Sequence, residues 1–344
     1  MPARPIRIAI NGFGRIGRNA FKVALEKPEL EVVAINELGS LEVMAHLLRY
    51  DTAYGRYRRQ VTYGRDWLQV DDRRIHFLSV KEPSTLPWRE LAIDVVLEST
   101  GRFTNDGAAK VHLGAGAKRV IVSAPTKGGD IATYLIGVND GDNKGDGVFS
   151  NASCTTNCVA PVTRVIHHEF GIAKATMTTV HSYTAEQNLV DGPVPPLHPD
   201  LRRARAAAEN IVPTTSGAAI STGEVLPELK GKFDGYALRV PTLVVSYTDF
   251  TFLTKKRTTV KQVNEAFKRW SVRPDLQGIL AYTEEPLVSS DFKGHPASAI
   301  VDLPLTKVID GDLVKVGAWY DNEWGYSNRY VEQAIMVGRQ LLGS

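Results

Sequence analysis

The sequence predicts an α/β protein in two parts: a doubly wound, Rossmann-type parallel sheet, then an α+β domain with a mixed or antiparallel sheet. Three observations lead there. Apolar strand-like runs alternate with helical stretches through the first half. A glycine-rich turn joins the first strand to the first helix. In the second half the runs lengthen, and several alternate apolar with polar residues, as a sheet covered on one face requires. At 344 residues the chain exceeds one ordinary core, since domains usually hold roughly 100–200 residues. We place the first domain at 1–153 and the second at 154–319. A C-terminal helix within 320–344 is expected to pack back on the first.

The elements follow in order. Ile6–Ile10 is an apolar run that meets Asn11-Gly12-Phe13-Gly14-Arg15-Ile16-Gly17. A helix is expected from there through Leu25, with Ile16, Ala20, Val23 and Ala24 on one side. Glu31–Asn36 reads as a second buried strand ending at Glu37, and Leu41–Leu48 as a helix. Residues 57–80 suggest hairpins, with turns at Gly64-Arg65-Asp66 and Asp71-Asp72. Ile93–Leu97, Val120–Val122 and Tyr134–Val138 are expected strands, and Ala108–Leu113 a helix. Later strands are expected at Thr176–Tyr183, Gly235–Pro241, Leu243–Thr254 and Leu313–Tyr320. Thr258 or Thr259 caps a helix to Trp270. Asn328–Leu342 is amphipathic, with Val331, Ile335 and Leu342 at helical spacing. Gly192–Asp200, with Pro193, Pro195, Pro196 and Pro199, must be a loop.

Composition narrows the function. Hydrophobic residues are 43% and charged residues 23%, in the soluble globular range. A formal charge of +3 is too weak to argue for nucleic acid or a membrane surface. No run of about 18 apolar residues suggests a bilayer span. The opening Met1-Pro2-Ala3-Arg4-Pro5 lacks the apolar core of a signal peptide. Only two cysteines occur, Cys154 and Cys158, so no disulfide framework is expected and a reducing, cytoplasmic setting fits.

Gly12-x-Gly14-x-x-Gly17 follows a strand and opens a helix, the context that gives this spacing meaning. The glycines permit a tight turn and close backbone approach to a pyrophosphate, which the helix N-terminus attracts. Glu37 lies 20 residues beyond Gly17 (37 − 17). A carboxylate there accepts hydrogen bonds from ribose hydroxyls and repels a 2′-phosphate, so NAD is favoured over NADP. The rival reading is a glycine turn that only packs helix on strand.

Ser150–Cys158 follows a short apolar strand and precedes a helix-like segment, Val159–Phe170. Cys154 is therefore expected in the first turn of a helix, where the thiol pKa falls from about 8.5 toward neutrality. Pro161 should kink that helix without ending it. Cys-x-x-x-Cys as a metal pair would need about two more ligands, and His167 and His168 lack the spacing, so no metal is expected. Cys158 reads as a small buried hydrophobe. His181, at a strand end, is by counting alone either a base or one structural histidine among eight.

Beyond these local signals, the whole chain resembles the phosphorylating glyceraldehyde-3-phosphate dehydrogenase family. The likeness is carried by Asn11–Arg18, Ser150–Asn157, His181-Ser182-Tyr183-Thr184, Asp200-Leu201-Arg202-Arg203, Pro213–Ala219, Arg239-Val240-Pro241-Thr242 and Trp319–Tyr326. It implies an NAD-binding Rossmann domain and oxidation of glyceraldehyde 3-phosphate, a step of glycolysis. Cys154 would attack the aldehyde, His181 would act as base, and inorganic phosphate would cleave the resulting thioester to 1,3-bisphosphoglycerate. Thr184, Arg203 and Arg239 would hold the substrate phosphate; Ser153, Thr155, Ser216 and Gly217 would hold the attacking phosphate. Gly12, Gly14, Arg15, Ile16, Gly17, Asn36, Glu37, Lys81, Thr100, Gly101 and Ser123 would line the dinucleotide, with Asn322 and Tyr326 beside the nicotinamide. The family is usually a homotetramer. Departures from its pattern are Glu37 for Asp, Lys81 for Arg, Ser216 for Thr, Ile220 for Lys, and a longer proline-rich loop at Gly192–Asp200.

Two rivals remain. Asn36-Glu37-Leu38, His198-Pro199-Asp200 and Glu285-Pro286-Leu287-Val288 resemble erythrose-4-phosphate dehydrogenase, which releases a free acid. Thr214–Ala219 and Asp191-Gly192-Pro193 resemble the phosphorylating family instead. The other rival is a nucleic-acid-binding protein with an idle site, which intact catalytic positions and a near-neutral charge disfavour.

Overall fold

A computed structural model describes residues 4–194 and 200–343. Residues 195–199, which carry three of the prolines in the expected loop, and the opening Met1-Pro2-Ala3 lie outside the described residues. The chain divides into two compact units. One takes the described residues of Met1–Tyr134, Gly141–Ala152 and Ser327–Ser344; the other takes those of Leu135–Asp140 and Ser153–Tyr326.

The first unit is built on β1 (Ile6–Asn11), β2 (Leu30–Asn36), β5 (Val61–Tyr63), β6 (Trp67–Val70), β7 (Arg73–Leu78), β8 (Val95–Glu98), β9 (Arg119–Val122), β10 (Ala132–Thr133) and β11 (Val148–Ser150). Their order is β10-β11-β9-β8-β1-β2-β7-β6-β5. Pairing is parallel from β10 to β7 and antiparallel across β7-β6-β5. A separate two-stranded ribbon joins β3 (Tyr50–Asp51) to β4 (Gly55–Arg56). Central strands such as β1 and β8 are buried almost throughout, as the continuous apolar runs require. Helices α1 (Arg15–Ala24), α2 (Leu41–Arg49) and α3 (Val111–Gly114) belong to this unit. Ser40 caps α2 by accepting the Val43 N–H at 3.2 Å. Trp88, Ile93, Val96, Val120 and Val33 form one apolar cluster, and Trp88 is fully buried.

Tyr134–Val138 is not a strand. The strand is the two residues before it, β10, and the expected run is a turn. Local chemistry overrides its apolar character: Asn139 Oδ1 accepts the Leu135 N–H at 2.9 Å, Asp140 Oδ1 accepts the Gly137 N–H at 2.9 Å, and Gly137 adopts φ 76°.

The second unit carries an eight-stranded mixed sheet. Its strands are β12 (Ile172–Ser182), β13 (Val212–Thr215), β14 (Phe233–Val240), β15 (Ser246–Thr254), β16 (Leu280–Thr283), β17 (Ala299–Asp302), β18 (Lys307–Ile309) and β19 (Leu313–Tyr320). The order is β13-β14-β12-β15-β19-β17-β16, with β18 beside β19. Only β12–β14 and β16–β17 pair in parallel. Helix α4 (Cys154–Phe170) runs unbroken through Pro161. Helices α5 (Ala218–Val225) and α6 (Val260–Ser271) follow, and Thr259 caps α6 through the Gln262 N–H. The last helix, α7, spans Trp324–Leu342. No described helix is long and apolar enough to cross a membrane.

Candidate active site

The first unit offers a cleft of about 340 Å³ at the C-terminal ends of its parallel strands, lined by Asn11, Gly12, Gly14, Asn36, Glu37, Lys81, Ser99 and Thr100 among others. This is where an open α/β sheet binds ligands. Each glycine has its own reason. Gly12 holds φ 94°, and a Cβ there would come within 2.8 Å of the Thr100 nitrogen. A Cβ on Gly17 would lie 2.0 Å from the Gly12 carbonyl. Gly14, which starts α1, faces open space. That opening at a helix N-terminus suits a pyrophosphate. Glu37 is fixed at the cleft edge: its Oε2 accepts the Phe13 N–H at 2.7 Å and its Oε1 the Gly39 N–H at 2.9 Å. The remaining lone pairs suit ribose hydroxyls. The residues present therefore fit a dinucleotide.

Of the predicted cofactor residues, Gly12, Gly14, Asn36, Glu37, Lys81 and Thr100 line this cleft. Arg15 instead reaches Asp51 at 2.9 Å. Ser123 donates its N–H to the Glu98 carbonyl. Ile16 and Gly17 lie in the first turn of α1, and Gly101 in the bend after β8. Asn322 and Tyr326 belong to the second unit. There Asn322 Oδ1 accepts the Val245 N–H at 3.0 Å and the Ser246 hydroxyl at 3.2 Å.

In the second unit, Cys154 opens α4 and Ser153 is its cap, accepting the Thr156 N–H at 3.0 Å. Ala152, just before the cap, takes the left-handed conformation at φ 52°. Cys154 Sγ lies 3.4 Å from His181 Nε2. The strand register delivers the imidazole: His181 is the next-to-last residue of β12, with Thr179 two residues earlier on the same covered face. His181 Nδ1 stands 2.6 Å from the Ser182 carbonyl, so it carries the proton and Nε2 turns a lone pair toward the sulfur. Arg239, the register partner of His181 on β14, donates through Nη1 to that carbonyl at 3.1 Å and to Thr184 Oγ1 at 2.9 Å.

The electrostatics differ from the sequence expectation. Burial pushes the Cys154 thiol above its usual value, against the pull of Arg239 and the Thr155 hydroxyl. The helix N-terminus does not bring it to neutrality. Burial, then Arg239, also hold His181 well below its ordinary value. The pair therefore rests as thiol and uncharged imidazole, a nucleophile beside its base.

A cationic cluster adjoins the pair. Arg203 is buried and donates Nη1 to Glu186 Oε1 at 3.0 Å and Nε to Thr214 Oγ1 at 2.9 Å. Arg239 Nη2 lies 3.8 Å from the same Glu186 oxygen. Burial alone would raise the Glu186 carboxyl, but Arg239 and the Thr184 hydroxyl hold it below the usual carboxylate range. Thus Thr184, Arg203 and Arg239 converge on one carboxylate that motif reading missed. Tyr320 was missed as well: its hydroxyl joins Thr155 Oγ1 at 3.0 Å and Thr179 Oγ1 at 2.8 Å, and its ring packs edge-on to His181. Ser216 accepts the Ala218 N–H before α5, and Gly217 beside it is exposed. Neither shares a hydrogen bond with Cys154 among the described residues. No group of three or more His, Cys, Asp or Glu side chains suited to a metal occurs among them either.

Two family models match the chain. The NAD binding domain of glyceraldehyde 3-phosphate dehydrogenase matches residues 6–106, and its C-terminal domain matches residues 153–322. The chain is 52% identical to glyceraldehyde-3-phosphate dehydrogenase of Streptomyces coelicolor over 339 residues, covering 98% of this chain and 99% of that one. It is 51% identical to the Geobacillus stearothermophilus protein of the same name, over 339 residues and with the same coverage. Against that of Mycobacterium avium it is 52% identical over 346 residues, again 98% of this chain and 99% of the relative.

Proposed function

Because the chain belongs to the glyceraldehyde-3-phosphate dehydrogenase family, we propose that it oxidises glyceraldehyde 3-phosphate with NAD and inorganic phosphate to 1,3-bisphosphoglycerate. The observation that carries this reading is the 3.4 Å approach of Cys154 Sγ to the lone pair of His181 Nε2, beside a cluster of guanidinium groups.

The chemistry follows from that contact. His181 takes the thiol proton as Cys154 sulfur bonds to the aldehyde carbon, and the carbonyl π electrons move to oxygen. The Cys154 backbone N–H, at the N-terminus of α4, steadies that oxygen, which then takes the proton from His181. His181 withdraws this hydroxyl proton in the oxidation, leaving a thioester on Cys154. NAD, when bound, supplies the hydride acceptor for that step. A phosphate oxygen then attacks the thioester carbon, the C–S bond breaks, and the sulfur regains its electron pair.

Thr184, Arg203 and Arg239 would hold the substrate phosphate, displacing or sharing with the Glu186 carboxylate. Ser153, Thr155, Ser216 and Gly217 would hold the attacking phosphate. Gly12, Gly14, Glu37 and Thr100 would hold the dinucleotide, with Asn322 and Tyr326 toward its nicotinamide. We further propose a homotetramer in the cytoplasm, where a free reactive thiol such as Cys154 persists. A spectrophotometric assay for NADH tests the whole reading. Turnover of glyceraldehyde 3-phosphate should require inorganic phosphate. Equal turnover of erythrose 4-phosphate without phosphate would overturn it.

A further inference from the structure

Beneath the cleft lies a buried carboxylate that the reaction does not use. Glu98, the last residue of β8, is 1% exposed. A carboxyl group so placed is tolerated only when its hydrogen-bonding capacity is filled. Four donors fill it. The Thr100 N–H and hydroxyl reach Oε1 at 2.8 and 2.5 Å, while Asn11 Nδ2 and His112 Nε2 reach Oε2 at 2.5 and 2.9 Å. The tautomer of His112 is set from behind. Trp88 Nε1–H, which only donates, points at His112 Nδ1 at 3.1 Å, so the ring carries its proton on Nε2 and donates to Glu98.

The chain of contacts continues across the sheet. Asn11 Oδ1 accepts Asn36 Nδ2 at 2.8 Å, and Asn36 brackets Val80 through both its carbonyl and its N–H. Asn11, Asn36, Val80 and Thr100 all face the cleft. The glycine loop rests directly on this assembly, because Gly12 packs against Ser99 and Thr100 so closely that a Cβ would collide with both. A shift of Thr100 must therefore shift the loop.

We propose that Glu98 and His112 are positioning residues for the dinucleotide: one saturated carboxylate fixes the Thr100 turn and the glycine loop in binding geometry. This rests on the NAD reading of the cleft. Glu98→Gln replaces an acceptor oxygen with a donor facing donors, and His112→Gln keeps a donor toward Glu98 in a less rigid frame. NAD binding, measured by titration calorimetry, should weaken about 10- to 100-fold in Glu98→Gln, the effect of losing a charge-assisted bond or two. His112→Gln should weaken it less. Backbone amides of Gly12, Phe13 and Thr100 should exchange faster in both, while Cys154 alkylation and the KM for the aldehyde stay at wild-type values. If Glu98→Gln does not fold, His112→Gln carries the test. Affinity for NAD within twofold of wild type, with only the melting temperature lowered, would overturn the proposal. Failure of the wild-type protein itself to bind NAD would instead remove the reading beneath it.

Discussion

The glycine-lined cleft and the cysteine centre prepare for anionic ligands by opposite means. In the cleft, room comes from side chains that are missing, and the polar groups beneath satisfy one another. Backbone N–H groups, a helix end and the Glu37 carboxylate are what remain for a ligand. At the cysteine centre, side-chain heads carry the recognition. There hydrogen-bonding capacity is left over: Arg239 Nε and Gln187 Nε2 are buried without a partner among the described residues. The first kind of site is written in adjacent residues. The second is assembled from strand ends and loops far apart in the chain, from Cys154 to Arg239 and Tyr320.

Substitutions separate the two. Cys154→Ser should abolish essentially all turnover while circular dichroism and NAD binding stay unchanged, because a hydroxyl is a far poorer nucleophile than a thiol at neutral pH. Retained turnover would remove the covalent role. His181→Asn should lower kcat by roughly 100- to 10,000-fold, the usual range for losing a general base, and should slow alkylation of Cys154 by iodoacetamide. On the cleft side, Gly17→Ala drives a Cβ into the Gly12 carbonyl. It should destabilise the first unit by about 1–3 kcal/mol and impair NAD binding with it, read by calorimetry. Asp94 serves as a control away from both sites. Burial alone would raise its carboxyl, but Arg4, Lys118 and the Arg7 N–H outweigh burial and hold it at about 2. Its unfolded value is about 3.9. The stabilisation is therefore complete above that value and lost as pH falls from there through about 2. Asp94→Asn should cost about 1–3 kcal/mol at neutral pH and flatten this acid limb of the stability curve, leaving kcat unchanged. The smallest structural effect belongs to Gly14→Ala, where nothing lies within 4 Å. Stability should move by less than about 0.5 kcal/mol. Affinity for NAD should still fall, since the methyl group enters the space left for the pyrophosphate. An unchanged affinity would place the dinucleotide elsewhere.

Legibility followed the same divide. β1, the glycine turn, α1 and β2 were readable because period and turn chemistry act over a few residues. Tyr134–Val138 misled because the Asn139 and Asp140 side chains just beyond it take its Leu135 and Gly137 N–H groups, which outweighs its apolar character. The nucleophile and base came with motif likeness, but their charge state did not: a helix N-terminus argues for a lowered thiol, and burial, which no local pattern reports, wins. Glu186, Tyr320 and Glu98 were silent for a related reason. Each matters through partners distant in sequence, and a single polar residue in a strand or loop has no period to betray it.

One distortion ties the cysteine centre together. Val245, β-branched and at φ 74°, occupies backbone space that glycine normally takes. It is gripped on both sides, its N–H by Asn322 and its carbonyl by the Ser182 hydroxyl next to His181. A conformation of this kind typically withholds about 1–3 kcal/mol from the folded state. The chain thus keeps a spring wound where stiffness is worth more than durability. Val245→Gly would ease the strain but strip a buried side chain from the core, so the protein should end no tougher while its imidazole aims less steadily.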